Sequence, residues 1–354
     1  MTRAAPTDWL VAIRLRQLGD VLSALAGLRA LKAACPERRI AYVVDGHYHA
    51  LLAGVDGIDR LVAAPPAASG PTGLVRYARY VAELRRLRPS VVIDFHGNAR
   101  SALLTRLIGA PERVGYDVRL RKRAYTIVEP RALRRGGRSV PGTATTAAVT
   151  LARRAGAVGG DDALPAIPVE AGAEASAREA LRRAGVPADA GEHAALVGLN
   201  PGRTYPAKAW QSERWAALAR RLTASGKHVL VMWGPGEEAD ARAIATAGGR
   251  SVHVAPPARI EELPGLLCNL SLLVTIDSGL KHLAVCVRVP TLTVFGSTDP
   301  REWHMGTPAD RYLWKGLSCS PCRRTRCPFG TPCMDFGVDE VAELAAPALA
   351  GERG

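Results

Sequence analysis

The sequence predicts an α/β protein made of two Rossmann-like domains that face a central cleft. Short apolar runs rich in β-branched residues alternate with segments of helical spacing, and the alternation restarts after a Gly- and Pro-containing stretch at residues 185–191. A length of 354 residues also suits two domains better than one core. We therefore expect an N-terminal domain over residues 1–185 and a C-terminal domain over residues 186–354.

The net charge of +14 lies almost entirely in the first half of the chain. Residues 1–185 contain 29 Lys plus Arg and 16 Asp plus Glu, whereas residues 186–354 contain 18 and 17. The asymmetry suggests an acidic partner for the N-terminal domain: a phosphorylated glycolipid, an anionic membrane surface or a nucleic acid. The alternative is an Arg-rich composition without a functional partner.

The sequence contains neither a predicted membrane span nor a signal peptide. No run of about 18 uncharged apolar residues occurs. Residues 1–8 lead into a predicted strand without an apolar leader or a cleavage site. We therefore expect a cytoplasmic protein.

The first strand–helix unit places an aspartate at the carboxyl end of a strand. Residues 9–15 predict the strand and residues 21–35 predict the helix, so Asp20 lies where the helix starts. An aspartate at this position commonly serves as the helix N-cap. Loops after parallel strands also carry the sites of α/β proteins, so the alternative role for Asp20 is general base for a substrate hydroxyl.

A second buried strand of this domain ends in polar residues. His96 lies there with Asp94, Asn98 and Arg100, and these neighbours make it a site candidate, although a single histidine is more often structural. The basic loop at residues 119–123 is either a solvated face or an anion-binding surface. The residues that we expect to bind an acceptor are His96, Arg119, Arg121, Lys122 and Arg123.

The C-terminal domain has a Gly- and Pro-rich loop at residues 200–210, directly after its first predicted strand. Small residues let backbone N–H groups approach a phosphate and Lys208 supplies a point charge, so the loop is suited to phosphate binding. It lacks the Gly-Lys-Ser/Thr ending of a Walker loop. The predicted binding residues are Asn200, Gly202, Arg203 and Lys208.

The next predicted strand, residues 228–233, is followed by a Gly-Pro-Gly turn and two glutamates. A carboxylate of Glu237 or Glu238 could bind ribose or sugar hydroxyls at this strand end. The alternative is an acidic first helical turn that the helix dipole favours.

A strand at residues 272–276 ends at Asp277-Ser278-Gly279 and leads straight into a predicted helix. The first turn of a helix presents backbone N–H groups without intrahelical acceptors, together with the positive end of the helix dipole. This arrangement predicts a diphosphate site, and His282 on the first turn could face the same anion.

Four cysteines form a late cluster with the spacing C-x2-C-x4-C-x5-C. Thiolates this close could bind zinc or an iron–sulfur cluster. The alternative is free or partly oxidised structural thiols, because the spacing is short for a zinc ribbon. We predict no metal in the active site and no catalytic role for Cys319, Cys322, Cys327 and Cys333.

Taken together, these motifs resemble glycosyltransferase family 9, the ADP-heptose:lipopolysaccharide heptosyltransferases. The resemblance implies a GT-B fold and an inverting, metal-independent transfer from an ADP-activated heptose that needs no cofactor. The motifs that carry it are Leu18-Gly19-Asp20-Val21-Leu22, residues 94–97, Asn200-Pro201-Gly202 through Lys208-Ala209-Trp210, Gly234-Pro235-Gly236-Glu237, residues 277–284, Phe295-Gly296 and Cys333-Met334-Asp335.

The resemblance also implies roles for single residues. Asp20 matches the base that deprotonates the acceptor hydroxyl, and Lys208 matches the residue that stabilises the departing diphosphate. Glu237 or Glu238 would contact a donor sugar or ribose. The residues that match the donor-binding set are Asp277, Ser278, Gly279 and His282.

The predicted function is transfer of heptose from ADP-heptose to a lipid A–Kdo type acceptor of the lipopolysaccharide inner core. The predicted partners are the nucleotide sugar, a phosphorylated glycolipid and the inner-membrane surface, with peripheral association at the inner face of the cytoplasmic membrane as an option. One alternative is the same chemistry on another glycan, a small metabolite or a protein. Another is a non-catalytic nucleotide- or nucleic-acid-binding protein, although nucleic acid is not expected because no aromatic residues interleave the basic segments.

Overall fold

Two parallel six-stranded β-sheets form the framework of the protein, one in each of two units. A computed structural model describes residues 8–66, 70–130, 134–135, 138–139, 143–159, 164–187, 195–202 and 205–349. The units are Met1–Pro168 and Val169–Gly354. In the described part of the chain, no helix is both long and apolar enough to cross a membrane.

Among its described residues, the first unit contains six strands of one sheet, four α-helices and a small hairpin. The strands are β1 (Trp9–Ile13), β2 (Arg39–Asp45), β3 (Arg60–Ala64), β4 (Val91–Asp94), β5 (Glu112–Tyr116) and β6 (Ile127–Glu129), and the hairpin pairs β7 (Arg134–Arg135) with β8 (Arg138–Ser139). The helices are α1 (Leu18–Ala34), α2 (Gly70–Arg86), α3 (Ala99–Ile108) and α4 (Thr143–Arg153). The strand order is β3-β2-β1-β4-β5-β6.

The second unit repeats this plan. Its strands are β9 (Leu196–Asn200), β10 (His228–Val231), β11 (Val252–Val254), β12 (Leu272–Ile276), β13 (Thr291–Phe295) and β14 (Asp310–Trp314). Its helices are α5 (Ala173–Arg183), α6 (Ser212–Ala224), α7 (Glu238–Gly248), α8 (Leu263–Cys268), α9 (Gly279–Cys286), α10 (Pro300–Trp303) and α11 (Val338–Leu349). The strand order β11-β10-β9-β12-β13-β14 has the same pattern as the strand order of the first sheet.

Each sheet reverses its strand order between its first and fourth strands. Strand β1 pairs with both β2 and β4, and β9 pairs with both β10 and β12. Ligands of open α/β sheets bind outside the carboxyl ends of the strands at such a switch point. The registers Ile13–Asp94 and Thr275–Asn200 bring the loops that follow these strands together.

The division between the units falls earlier in the chain than the predicted boundary after Gly185. Helix α5 packs closely on α8: a Cβ at Gly265 would lie 2.5 Å from the carbonyl oxygen of Ala173. Only glycine permits this approach, so the segment that contains α5 belongs to the second unit.

Candidate functional site

In the second unit, the loops after β9 and β12 meet at an ion pair. Lys208 Nζ lies 2.7 Å from Asp277 Oδ2, and Thr298 Oγ1 donates a hydrogen bond of 2.7 Å to the same oxygen. Burial alone would raise the pKa of Asp277, but the nearby Lys208 ammonium, together with the other charges and hydrogen bonds at the carboxylate, holds the pKa below its usual value. The carboxylate is therefore ionised, and it fixes the position of the ammonium group.

Asn200 joins the ends of the same two strands. Its Nδ2 donates to Thr275 Oγ1 at 2.8 Å and to Ser278 Oγ at 2.9 Å. Ser278 directly precedes α9, which begins at Gly279. The bond from Asn200 therefore holds the entry to the helix whose first-turn N–H groups have no intrahelical acceptors.

His282 is buried and uncharged. Burial, reinforced by the neighbouring Lys281 ammonium, lowers its pKa to about 3. Its Nδ1 has no hydrogen-bond partner among the described residues, and its Nε2 lies 4.0 Å from Asp277 Oδ1. At neutral pH this side chain can offer an anion a hydrogen bond but not a positive charge.

A pocket of about 270 Å³ opens beside the loop after β9. Gly202 lines it with a φ of +46°, and a Cβ there would lie 2.9 Å from Ile276 Cδ1, so the close approach of the loop to β12 depends on glycine. Apolar side chains and three carboxylates also line the pocket, among them Met232, Ile244, Glu213, Glu237 and Asp240. Apolar surface with a few polar groups is typical of a small-molecule site.

The two predicted glutamates occupy different environments. Glu237 lines the pocket and accepts a hydrogen bond of 3.1 Å from the backbone N–H of Gly234. Glu238 forms an ion pair with Arg242, one helical turn further along the surface of α7. The geometry favours Glu237 as the ligand-facing carboxylate. Arg203, also predicted here, lies outside the described residues.

Lys281 is a buried residue that the sequence reasoning did not select. Its Nζ lies 2.7 Å from Asp310 Oδ2 and donates to the backbone carbonyl of Trp303, also at 2.7 Å. The Trp303 ring in turn packs edge-on against His282, with 5.6 Å between ring centroids. The Lys281–Asp310 pair therefore links the first turn of α9 to β14. The hydrogen bond from Lys281 to Trp303 positions the ring that packs against His282. A lysine between apolar helix residues is the pattern that could have indicated it.

In the first unit, Asp20 is not a helix cap. Helix α1 begins at Leu18 after Gln17, whose side chain makes no capping hydrogen bond, so the N-cap interpretation of Asp20 is wrong. The Asp20 carboxylate instead forms an ion pair with Arg14, whose guanidinium also donates to the carbonyl of Phe95. Arg14, which the sequence reasoning missed, therefore joins the ends of β1 and β4.

His96 lies at this same strand end. Its Nδ1 accepts a hydrogen bond of 3.2 Å from the backbone N–H of Leu15, which places the proton of the neutral ring on Nε2. The neighbouring Asp94 is fully buried and accepts from the N–H groups of His96 and Gly97 and from the Tyr125 hydroxyl. Burial raises the pKa of Asp94. Asp94 therefore shapes the loop that carries His96.

One residue of the basic loop at residues 119–123 contacts the strand end that carries His96. Arg121 Nη1 donates to the carbonyl of Gly97 at 2.6 Å. Lys122 pairs with Asp117 at 3.2 Å on the surface. Arg119 and Arg123 are exposed. The structure thus brings together Asp20, His96 and Arg121 but leaves the other three cations on the surface.

In the described part of the chain, no group of three or more His, Cys, Asp or Glu side chains, the late cysteines included, is arranged to hold a metal ion. All four are free thiols. Cys319 and Cys322 are exposed, whereas Cys333 is buried.

Two Rossmann-like units, each with a polar site at the switch point of its sheet, are the plan of GT-B glycosyltransferases, as the sequence predicts. Solved structures show this fold. A family 9 glycosyltransferase of Veillonella parvula gives a TM-score of 0.85 at 20% identity and covers 99% of this chain and 100% of its own. The ADP-heptose lipopolysaccharide heptosyltransferase II of Escherichia coli gives 0.77 at 18% identity, with 98% and 100% covered.

The sequence comparisons identify the family. The sequence model of glycosyltransferase family 9 (heptosyltransferase) matches residues 78–332. Lipopolysaccharide heptosyltransferase 1 of Pseudomonas aeruginosa is 27% identical over 333 residues, which cover 90% of this chain and 87% of that protein. The chain belongs to glycosyltransferase family 9 and is a glycosyltransferase of the heptosyltransferase type, which confirms the predicted resemblance.

Proposed function

We propose that the protein transfers heptose from ADP-heptose to a lipid A–Kdo type acceptor of the lipopolysaccharide inner core, with inversion and without a metal. The observation that carries the proposal is the convergence of Lys208 and the start of α9 on the ionised Asp277. An ammonium group and first-turn N–H groups at one point suit a departing diphosphate. The names of the relatives support heptose as the sugar and lipopolysaccharide as the product class.

The donor would bind at the carboxyl ends of β9, β10 and β12. The nucleoside would occupy the 270 Å³ pocket, with its ring on Met232 and Ile244 and a ribose hydroxyl on Glu237. The diphosphate would then extend toward Lys208. The residues that we assign to the phosphates and the sugar are Asn200, Gly202, Arg203, Asp277, Ser278, Gly279 and His282.

The transfer would be a single displacement at the anomeric carbon. Asp20 takes the proton of the acceptor hydroxyl while that oxygen forms its bond to the anomeric carbon. The bond between this carbon and the diphosphate oxygen breaks, and ADP leaves with its new charge stabilised by Lys208. Attack from the face opposite to ADP inverts the anomeric configuration.

The acceptor would bind to the first unit. His96 Nε2 and Arg121 lie with Asp20 at the same strand end and can donate hydrogen bonds to sugar or phosphate oxygens. Arg119, Lys122 and Arg123 would add a positive field around them. We place the reaction at the inner face of the cytoplasmic membrane, where a lipid-linked acceptor is accessible.

The test is acceptor-dependent release of ADP from ADP-heptose with heptose-free lipopolysaccharide core. We expect Asp20→Asn to reduce release by about 1,000-fold or more while ADP-heptose still binds, because general-base catalysis contributes up to about 10⁴-fold. The control is Asp56→Asn, at an exposed carboxylate, which should release ADP like the wild type. A product with the same anomeric configuration as the donor would contradict inversion.

Other outcomes redirect or overturn the proposal. Donor binding without release on this acceptor, but with release on another glycan, metabolite or protein, would replace the acceptor and keep the chemistry. Failure to bind any ADP-sugar would overturn the donor assignment.

A further inference from the structure

A cationic groove lies on the first unit, apart from the loops that carry Asp20 and His96. It has a volume of about 580 Å³ and runs between the end of β3 and the exposed flank of α2. The groove residues that matter here are Pro65, Arg76, Arg79, Tyr80, Glu83 and Arg86. We refer to it as the α2 groove.

The charge of the α2 groove is unbalanced. Glu83 is the one carboxylate among its lining residues, and it is paired with Arg60. Within the described ranges, Arg76, Arg79 and Arg86 have no carboxylate partner. Three guanidinium groups on one helix flank therefore face the groove with their charge available to a ligand.

The floor of the α2 groove contains a buried tyrosine. Tyr80 is 7% exposed, and its hydroxyl is buried with no hydrogen-bond partner in the described part of the chain. A hydroxyl this enclosed is not accessible to a ligand in the groove, so the guanidinium groups are the ligand-facing polar groups of the groove. Arg100 donates to the carbonyl of Pro65 and adds a further positive charge at the wall.

These groups fit a phosphate ester. Arginine forks bind phosphate oxygens in pairs. Two large apolar residues are exposed on the first turns of the same helix, Leu74 at 65% and Val75 at 52%. Val75 lies one helical turn before Arg79, so aliphatic surface and guanidinium groups occupy one flank of α2.

We propose that the α2 groove binds the phosphate groups of anionic lipids and docks the first unit on a membrane surface, with Leu74 and Val75 entering the interface. Exposed aliphatic side chains beside arginines match a surface of anionic headgroups over hydrocarbon. A nucleic acid would instead favour exposed aromatic rings for stacking, and Tyr80 is buried. The inference rests on the proposed lipid-linked acceptor and names the surface that would reach it.

The first experiment measures binding of the full chain to vesicles of phosphatidylglycerol and phosphatidylcholine by flotation. Each basic residue near an anionic membrane contributes about 1 kcal/mol, so the double variant Arg76→Gln/Arg79→Gln should bind about 30-fold more weakly. The matched control is Arg85→Gln/Arg88→Gln, which removes the same charge from exposed arginines that do not line the groove. Its binding should stay within about threefold of the wild type, because neither of these arginines lines the groove.

Three results would overturn the proposal: no binding of the wild type to anionic vesicles, equal binding of the groove variant and the wild type, or equal loss in both double variants. Leu74→Ser/Val75→Ser should weaken vesicle binding without changing binding of soluble glycerol phosphate. Binding of soluble glycerol phosphate by a wild type that does not bind anionic vesicles would assign the groove to a free phosphate ester and overturn a membrane source for the ligand.

A second readout separates this inference from the proposed function. With detergent-dispersed acceptor, Arg76→Gln/Arg79→Gln should release ADP at the wild-type kcat, because these residues take no part in the chemistry. Loss of vesicle binding in this variant, together with a wild-type kcat, would support membrane docking by the α2 groove. If the wild type releases no ADP but binds vesicles through Arg76 and Arg79, the proposed function fails and the groove stands.

Discussion

Lys281 and Asp310 form an ion pair of 2.7 Å with both side chains essentially excluded from solvent, at 0% and 1% exposure. Asp310 also accepts from the Thr291 hydroxyl and from the backbone N–H of Met305. Burial would raise the pKa of Asp310, but the Lys281 ammonium and the hydrogen bonds to the carboxylate together lower it. One fully paired carboxylate therefore links α9, β13 and β14 behind the proposed donor site.

Removal of one partner of this pair should destabilise the second unit severely. Lys281→Met leaves the Asp310 carboxylate buried without its cation, and such a loss costs about 3–5 kcal/mol. Urea unfolding followed by circular dichroism measures the change. Lys227→Met, at a half-buried lysine without an ion pair in the described chain, should cost less than about 1 kcal/mol. Equal destabilisation by the two variants would contradict the assignment.

Lys208 should contribute to the chemical step as well as to donor binding. Replacing Lys208 by Met removes the ammonium group beside Asp277, and loss of one preorganised group at a developing charge costs about 100- to 1,000-fold in kcat. Steady-state ADP release measures this effect. Lys208→Arg should recover part of the rate, because the charge is kept while the geometry differs. Wild-type kcat in Lys208→Met would exclude the proposed role.

His282 should make folding stability depend on pH. Its pKa is about 3 in the folded protein and about 6.5 in an unfolded chain, so the unfolded state binds a proton first as the pH falls. Stability is therefore full above about pH 6.5 and declines toward pH 3 by about 1.4 kcal/mol per pH unit.

The measurement for His282 compares urea unfolding at pH 7.5 and pH 5.5. The free energy of unfolding of the wild type should fall by about 1.4 kcal/mol more than that of His282→Gln, which cannot titrate. The opposite order, with His282→Gln more sensitive to acid, would show that the folded histidine is charged.

Arg14 should act as a positioning residue for Asp20. It holds the carboxylate and the Phe95 carbonyl at once, so Arg14→Met should lower kcat by about 10- to 100-fold through misplacement of Asp20. The KM for ADP-heptose should be unchanged, and Arg14→Lys should restore part of kcat. A purely structural role would instead lower the unfolding temperature of Arg14→Met and Arg14→Lys alike, with no difference in kcat per folded molecule.

Much of the fold followed from local pattern. The strands around Val92, Val197 and Val274 are continuous apolar runs, because parallel strands covered on both faces bury every side chain. The polar residues at the ends of these strands, Asp94, Asn200 and Asp277, stand out in the sequence because each follows a continuous apolar run. By contrast, β14 and α11 were not predicted, since short or mixed segments gain their stability from packing rather than from pattern.

The sequence predicts which loops form the candidate site, but it predicts only some of the contacts between their side chains. The sequence predicts a role for Asp20. It does not indicate Arg14, the cation that pairs with Asp20, because a charged residue within a predicted strand carries no distinguishing pattern. Glu237 and Glu238 are adjacent in sequence, yet one faces the pocket and the other faces solvent. Glu237 precedes α7 with a non-helical backbone, whereas Glu238 is its first residue, so the two side chains point in different directions.

By itself, the sequence determined the α/β class, the repeated strand–helix units, the loops that carry the polar residues and the resemblance to family 9. These properties depend on the order and spacing of residues along the chain, which local periodicity expresses directly. Tertiary structure decided that Lys208 pairs with Asp277, that Lys281 pairs with Asp310 and that His282 is uncharged. Such properties arise because segments far apart in sequence meet in a low-dielectric interior, where burial and the nearest charge set the state of each group.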